Sequence, residues 1–265
     1  MTGASHSSVK RYRELARNPS KNGLERELLL DGQHLLIEAQ ASGLAIDSAA
    51  FEQDMLDDPA VRALAEQLVA DGADVYIVSR KTLESMSPVK TPAGMVGIAR
   101  RSLTPLDAAI RAHQPVPQLV VVAHDVQDPG NVGGMVRTAE AAGATAFITS
   151  PSTADPLGWK ALRGSMGSAL RLAIARAEIA DTLDALRQAN ITTSALVAHG
   201  GQPLFELDLR TPSAFILGAE GVGLPPAILD RVDQRVSIPM IQPVESLNVG
   251  VAAALVLYEA FRQRQ

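Results

Sequence analysis

From residue 119 onward, short apolar runs alternate with helical patterns, and this alternation constrains the fold more than any other feature of the chain. The runs LVVVAHDV and SAFILGAE are nearly continuous in apolar residues, which is typical of strands covered on both faces of a parallel sheet. Helical segments such as ADTLDALRQAN separate such runs. The spacing predicts an α/β domain with a doubly wound parallel sheet, whose ligand sites lie at the carboxyl ends of its strands.

The part of the chain before residue 119 predicts a second, smaller α/β domain. The runs ELLLDG, DVYIVS and MVGIARR favour strands, and helical patterns lie between them. Three prolines punctuate the stretch that follows, as expected of a linker. We therefore predict a flexible basic arm that leads into a short helix over 1–22, a substrate-binding domain over 23–101, a linker over 102–118 and a catalytic domain over 119–265.

Composition and charge narrow the classes of protein. The chain has no cysteine, which excludes disulfides and thiolate zinc sites, and we expect no metal. No apolar run reaches the roughly 18 residues of a membrane helix, and the amino terminus lacks a secretory signal, so a cytoplasmic protein without a membrane partner is expected. The net charge of −5 hides basic segments at 1–30 and 76–111 around an acidic one at 31–75. These segments predict a positive face opposite an acidic one, although charges scattered over a solvated surface would fit equally well.

Segment 128–143, DPGNVGGMVRTAEAAG, predicts a glycine-rich turn that opens a helix, a place where free N–H groups favour anions. It lacks the fingerprints of dinucleotide-binding and P-loop folds. Their absence argues against a nucleotide-binding enzyme that acts on small molecules. Its polar candidates are Asn131 in the turn and Arg137 in the helix. From this segment alone, a solvated residue or an ion-pair partner of Glu140 is a more common role for such an arginine than a place in a site.

Two later segments add further candidates. In ILGAEGVGL, over 216–224, Glu220 lies among glycines that permit close approach of a ligand or a tight turn. In VSIPMIQPVESLNVGVAAALVLYEAFRQR, over 236–264, Ser246 fits a helix N-cap and Asn248 an early helical position. One helical face of this segment is apolar and predicts inward packing: Leu247, Val251, Leu255, Tyr258 and Phe261.

In this order, the three segments resemble the signature motifs of the SpoU, or TrmH-like, branch of the SPOUT RNA ribose methyltransferases. NVGGMVR is similar to the first motif, GAEGVGL to the second, and IPM followed by SLNV and an alanine-rich helix to the third. The stretch RGSMGSALRL at 163–172 resembles the segment between the first two motifs. The chain departs from the family pattern at Ile241–Pro243, where many members have a glycine.

The resemblance implies a deep trefoil knot in the carboxyl-terminal domain, a homodimer formed through that domain, and S-adenosylmethionine as methyl donor. It implies donor binding at Gly218, Ile238 and Leu247. The reaction it implies is methyl transfer to a ribose 2′-hydroxyl, and a proposal for the family makes Arg137 the general base. Because a guanidinium gives up its proton reluctantly, we favour the alternative that Arg137 is a fixed cation that stabilises the developing alkoxide and binds the neighbouring phosphate. Asn131, Ser246 and Asn248 would orient the ribose or Arg137, and Glu220 would hold this polar cluster in place.

Residues 23–101 resemble the domain that often precedes the catalytic part, with a fold akin to some ribosomal RNA-binding proteins. The partner implied is RNA rather than DNA, and ribosomal RNA is favoured over transfer RNA by family analogy. A non-catalytic RNA-binding relative is the alternative to an enzyme. Trp159, beside Lys160 and Arg163, could stack on a base but more often such a residue packs. The basic candidates for RNA contact are Arg80, Lys81, Lys90, Arg100 and Arg101.

Overall fold

The computed structural model describes residues 7–17, 25–111 and 117–265. The stretches outside the described residues are 1–6, 18–24 and 112–116. The predictions of a flexible arm and of a linker fall partly on these stretches, and to that extent they concern residues that the structure does not describe.

The chain divides into two compact units. Unit 1 comprises Met1–Ser102 together with Leu157–Arg171, and unit 2 comprises Leu103–Pro156 and Leu172–Gln265. The segment Leu157–Arg171 therefore belongs to unit 1, although it lies within the stretch predicted as the catalytic domain. Local sequence patterns carry no information about such an insertion, because they do not show which core a helix joins.

The described strands, in chain order, are β1 (Glu25–Asp31), β2 (Ile46–Glu52), β3 (Asp74–Val78), β4 (Met95–Ser102), β5 (Leu119–Ala123), β6 (Ala146–Thr149), β7 (Ala173–Arg176), β8 (Thr192–Leu196), β9 (Gln202–Pro203), β10 (Ser213–Leu217) and β11 (Gln234–Ser237). The described α-helices are α1 (Ser7–Arg17), α2 (Gln33–Ala41), α3 (Pro59–Ala70), α4 (Arg80–Met86), α5 (Leu106–Ile110), α6 (Pro129–Ala141), α7 (Trp159–Ser165), α8 (Ser168–Arg171), α9 (Ile179–Gln188), α10 (Pro226–Leu229) and α11 (Val249–Gln263). Two 3-10 turns, Gln53–Asp57 and Leu204–Glu206, complete them. No helix among the described residues has the length and apolar character needed to span a bilayer.

Unit 1 is a four-stranded sheet of order β1-β4-β2-β3, in which β4 runs antiparallel to both neighbours and β2 and β3 are parallel. One face of the sheet is covered by α1 and α4, whose apolar residues join one cluster with Val96 and Ile98 of β4. The other face holds α2, since a Cβ on Gly97 would meet Leu36 at 2.4 Å. Successive residues of a strand point to opposite faces, so Val96 and Gly97 separate the two layers.

Helix α1 lies within the stretch predicted as a flexible arm, and it is part of the core of unit 1. Val9, Tyr12 and Leu15 are buried, and the Tyr12 hydroxyl hydrogen-bonds Ser48 Oγ at 2.9 Å. Burial of three such side chains contributes on the order of 5 kcal/mol as an upper bound. Of the basic residues on this amphipathic helix, Lys10 and Arg17 are exposed, and Arg11 and Arg13 are half-buried.

Unit 2 confirms the predicted parallel sheet. Its order is β7-β6-β5-β10-β8-β11-β9, and every pair of neighbours is parallel. The central strands β5 and β10 are buried at all five positions, as their continuous apolar runs predict. Parallel strands end at the same edge of a sheet, so the loops after β5, β8, β10 and β11 meet there.

Helix α6 begins earlier than predicted. The glycines of DPGNVGG suggested a turn, yet α6 starts at Pro129 and includes Asn131 in its first turn. Asp128 is the N-cap, its carboxylate accepting a hydrogen bond from the Asn131 N–H at 2.9 Å, and proline at the first helical position needs no partner for its nitrogen. The same Asp-Pro pair opens α3.

The inward face of the last helix differs from the predicted one. Val251, Leu255 and Tyr258 are 49%, 40% and 50% exposed, whereas Ala253 and Val256 are fully buried. Helix α11 is apolar on two sides, and periodicity alone does not tell which side meets the core. The predicted face is therefore an uncovered apolar surface of the single chain.

Candidate functional site

The loop after β10 is shaped by close backbone contact. A Cβ on Gly218 would lie 2.5 Å from the carbonyl carbon of Gly223, so only glycine allows the two backbones to approach. The Gly223 N–H donates to the carbonyl oxygen of Ala219 at 2.9 Å and closes the loop. Gly223 has a φ of +73°, in the left-handed region that side chains disfavour. The glycines of the second motif thus form a fixed turn at the sheet edge.

A cavity of about 540 Å³ lies at this edge, between the loops after β8, β10 and β11 and the start of α11. Its walls include apolar side chains such as Leu196, Leu217 and Met240. All three residues predicted to bind the methyl donor line it: Gly218, Ile238 and Leu247. An apolar, largely preformed cavity of this size with a few polar groups is typical of a small-molecule site.

Three predicted polar residues, one from each motif, form a hydrogen-bonded cluster. The Asn131 amide donates to Glu220 Oε1 at 2.7 Å. The Asn248 amide donates to the same carboxylate oxygen at 3.0 Å and to Asn131 Oδ1 at 3.1 Å. Glu220 and Asn248 also line the cavity, so the cluster lies at its rim. The three motifs, distant in sequence, therefore meet at one edge of the sheet.

Asn248 is also the N-cap of α11. Its Oδ1 accepts hydrogen bonds from the N–H groups of Gly250 and Val251 at 2.9 and 3.2 Å. Asn248 therefore takes the capping position that we assigned to Ser246. Ser246 instead lies just before the helix, exposed and lining the cavity.

Arg137 is not part of this cluster within one chain. It is exposed on α6 and makes no hydrogen bond or ion pair with any residue that the structure describes, Glu140 included. Arg137 follows Asn131 by six positions along the helix, which places the two side chains about 9 Å apart along the axis and about 120° apart around it. Within one chain Asn131 and Asn248 therefore do not contact Arg137, and the prediction that they orient the ribose or Arg137 stays a prediction.

Residues 118–258 match the sequence model of the SpoU rRNA Methylase family. The chain belongs to the SpoU rRNA methylase family. An uncharacterised tRNA/rRNA methyltransferase of Synechocystis is 33% identical over the whole chain and 94% of its own length. The 23S rRNA (guanosine-2′-O)-methyltransferase RlmP of Bacillus subtilis is 29% identical over 87% of the chain and 86% of its length. The crystal structure of an AdoMet-bound rRNA methyltransferase from Sinorhizobium meliloti superposes with a TM-score of 0.85, at 28% identity, covering 99% of this chain and 97% of that one.

The segment where this SpoU family chain departs from the family pattern lies outside the cavity. Met240 and Ser246 line the cavity, whereas Ile241–Pro243 do not. Ile241 is 89% exposed, and its carbonyl accepts a hydrogen bond from the Val244 N–H at 3.2 Å. The altered residues therefore form a surface turn.

The basic candidates for RNA contact separate into two groups in unit 1. Arg80 and Lys81 follow β3, whereas Arg100 and Arg101 end β4. Because β4 is antiparallel to β2, Lys90, which precedes β4, lies at the same end of the sheet as Arg80 and Lys81. Arg100 and Arg101 lie at the opposite end. Arg80 forms ion pairs with Glu52 and Glu84, and Arg100 forms one with Asp47.

His124 was missed by the sequence reasoning, and it lies directly beside the candidate site. It follows β5, and its backbone N–H donates to the carbonyl oxygen of Leu217 at 2.8 Å. Leu217 immediately precedes Gly218. Its Nδ1 is buried without a hydrogen-bond partner among the described residues. Burial lowers the pKa of its imidazole, which Asp125 and Glu178 only partly offset. Its place directly after an apolar strand was the available signal.

Proposed function

We propose that this chain transfers a methyl group from S-adenosylmethionine to a ribose 2′-hydroxyl of ribosomal RNA. One observation carries the proposal: Asn131, Glu220 and Asn248 form one polar cluster at the rim of an apolar cavity, at the carboxyl edge of a parallel sheet. Membership of the SpoU rRNA methylase family supports it, as do the 23S rRNA 2′-O-methyltransferase activity of the Bacillus subtilis relative and the AdoMet bound to the Sinorhizobium meliloti structure.

The cavity fits the methyl donor. Its volume of about 540 Å³ is within the usual range for small-molecule sites, and Gly218 lines it at the tight turn where its backbone packs against that of Gly223. Gly218 and Leu247 would present backbone groups to the adenine, and Ile238 an apolar surface. S-adenosylmethionine supplies an electrophilic methyl group on a sulfonium. Residues of the rim then fix where an acceptor hydroxyl approaches.

The polar cluster positions the acceptor. Glu220 Oε1 accepts from both amides, so it fixes the orientation of Asn131 and Asn248. The remaining amide and carboxylate groups, with the hydroxyl of Ser246, would hold the ribose so that its 2′-oxygen is in line with the methyl group. Such alignment supplies a large part of the rate enhancement in a displacement reaction.

Arg137 would stabilise the negative charge that develops on the 2′-oxygen and hold the adjacent phosphate. We propose that it does so in a homodimer formed through α6 and α11. Val251, Leu255 and Tyr258 form an apolar surface on α11, which packs against α6. An uncovered apolar surface of this kind on a single chain favours association. Arg137 lies on the exposed side of α6 and would act where two copies meet.

The finer features of the fold belong to the same proposal. The carboxyl-terminal segment would thread a deep trefoil knot around the cavity. The part of the chain over 23–101 would bind RNA, and residues 102–118 would link it to the catalytic domain over 119–265. The protein would act in the cytoplasm. The arrangement of the loops after β10 and β11 around one cavity supports the knot. The basic residues of unit 1 support RNA binding.

Substitution of Arg137 by alanine tests the assignment of the catalytic cation. We expect methyl transfer to 23S rRNA to fall by at least a hundredfold, while calorimetry shows unchanged binding of S-adenosylmethionine. Arg137→Lys, which keeps the charge but not the planar fork, should recover part of the rate. Near-normal transfer by Arg137→Ala with intact donor binding would remove Arg137 from the mechanism. Parallel assays with transfer RNA decide between ribosomal RNA and transfer RNA as the substrate, both of which appear in the name of the Synechocystis relative.

A further inference from the structure

Three helices that are far apart in sequence form one layer of unit 1. Val9 and Tyr12 of α1 and Leu83 of α4 belong to one buried cluster, and Trp159 of α7 packs against that cluster. Arg13 of α1 donates two hydrogen bonds to Ser85 Oγ in α4, at 2.8 and 3.2 Å. The described part of the predicted arm and the inserted segment Leu157–Arg171 thus contribute to the same face of the unit.

This layer is basic, and the opposite layer is acidic. Helices α1, α4 and α7 carry only two acidic residues, Glu14 and Glu84. Their eight basic residues are Lys10, Arg11, Arg13, Arg17, Arg80, Lys81, Lys160 and Arg163. On α2, α3 and the 3-10 turn between β2 and α3, the charged residues are one base, Arg62, against four acids: Glu38, Asp54, Asp57 and Glu66.

Half of the basic residues are available to a partner. Lys10, Arg17, Lys81 and Lys160 are exposed and make no hydrogen bond or ion pair with any other described residue. The Lys160 ammonium lies 5.4 Å from the centre of the Trp159 ring, which keeps it close to the layer. The others have partners in the chain, as when Arg163 pairs with Asp31 at 3.6 Å.

We propose that this face, formed by α1, α4 and α7, binds the phosphate backbone of the RNA substrate, and that Lys160 of the inserted α7 is one of its phosphate contacts. The proposal rests on the proposed function. In a chain of net charge −5, four unpaired cations on one face favour a polyanion. Ammonium groups on a helical surface act as point charges, so this face would position the RNA rather than identify its bases.

The salt dependence of RNA binding tests this face. The full-length protein is titrated with fluorescent 23S rRNA transcript at several salt concentrations. A variant with Lys10, Arg17, Lys81 and Lys160 changed to glutamine should lose about 3 from the slope of log K against log salt, since each phosphate contact contributes about 0.7 to 0.9. Lys81→Gln and Lys160→Gln alone should each lose about 1, which keeps the test valid if the quadruple variant does not fold.

The matched control removes four exposed arginines of unit 2. Its substitutions are Arg111→Gln, Arg187→Gln, Arg210→Gln and Arg235→Gln. It has the same net charge, and its slope should stay near that of the unchanged protein. An unchanged slope in the quadruple variant, or an equal loss of slope in the control, would overturn the proposal. A loss of binding to anionic lipid vesicles by the quadruple variant would not rescue it. Failure of the proposed function is distinguishable, because the unchanged protein would then transfer no methyl group to RNA.

Discussion

Substitution of Asn248 separates its two structural roles. Its Oδ1 caps α11 by accepting from Gly250 and Val251, and its Nδ2 donates to Asn131 and Glu220. Asn248→Asp keeps the capping oxygen and loses both donated hydrogen bonds. At about 1 kcal/mol for each bond at this exposed rim, methyl transfer should slow about thirtyfold. The unfolding free energy should fall by about 2 kcal/mol, because the same two hydrogen bonds are lost, but the cap is kept, because aspartate caps a helix as well as asparagine does.

Asn248→Ala completes the comparison, because it loses the cap as well. Its methyl transfer should slow to a similar extent, and its unfolding free energy should fall by a further amount of about 1 kcal/mol. Urea unfolding and single-turnover methyl transfer at saturating S-adenosylmethionine measure the two effects separately. Asn190→Asp, an exposed asparagine outside the cavity lining, controls for the added charge. Near-normal transfer by Asn248→Asp, or a stability loss equal to that of alanine, would refute the division of roles.

Three further predictions concern the donor cavity, the dimer and pH. Gly218→Ala should lower the unfolding free energy by about 1 to 3 kcal/mol and weaken S-adenosylmethionine binding measured by calorimetry, whereas Gly134→Ala, where a Cβ meets no atom within 4 Å, should be neutral or slightly stabilising. Tyr258→Glu should halve the molecular mass measured by light scattering, whereas Val69→Glu, at a position that is also exposed, should leave it unchanged. An unaltered mass for Tyr258→Glu would exclude the apolar face of α11 as the interface. Burial lowers the pKa of His124 below its usual 6.5. As the pH drops below 6.5, His124 therefore becomes protonated in the unfolded chain before it does so in the folded chain, and the unfolding free energy falls. His124→Asn should therefore lose less stability than the unchanged protein between pH 7.5 and 5.5 in urea unfolding, and an equal loss would show that His124 does not contribute.

The parallel sheet was predictable from a local pattern in the sequence, whereas the position of the cavity was predictable only from the order of the three motifs. Continuous apolar runs identified β5 and β10, which are buried throughout. The residues assigned to donor binding came from the resemblance to a family, and the fold places all three in one cavity: Gly218, Ile238 and Leu247. The order of the motifs carried that information, since each one alone was ambiguous.

The errors arose where a local pattern has two readings. The signals for an early start of α6, Asp128 as cap and Pro129 behind it, were present but were outweighed by glycines that favour turns. On α11, a helix apolar on two sides, periodicity could not decide between the faces of Val251 and Val256. The sequence also could not show that Leu157–Arg171 folds with unit 1, because membership of a core depends on tertiary contacts.

The position of the transferred methyl group tests the central claim most directly. The protein is incubated with isotope-labelled S-adenosylmethionine and a 23S rRNA transcript, and the RNA is digested to nucleosides for mass spectrometry. Our account predicts one labelled 2′-O-methylnucleoside, and one labelled alkali-resistant dinucleotide when a parallel sample is hydrolysed in alkali, with the rate of labelling reduced by Arg137→Ala. Label on a base, or RNA without label although S-adenosylmethionine binds in the cavity, would contradict it.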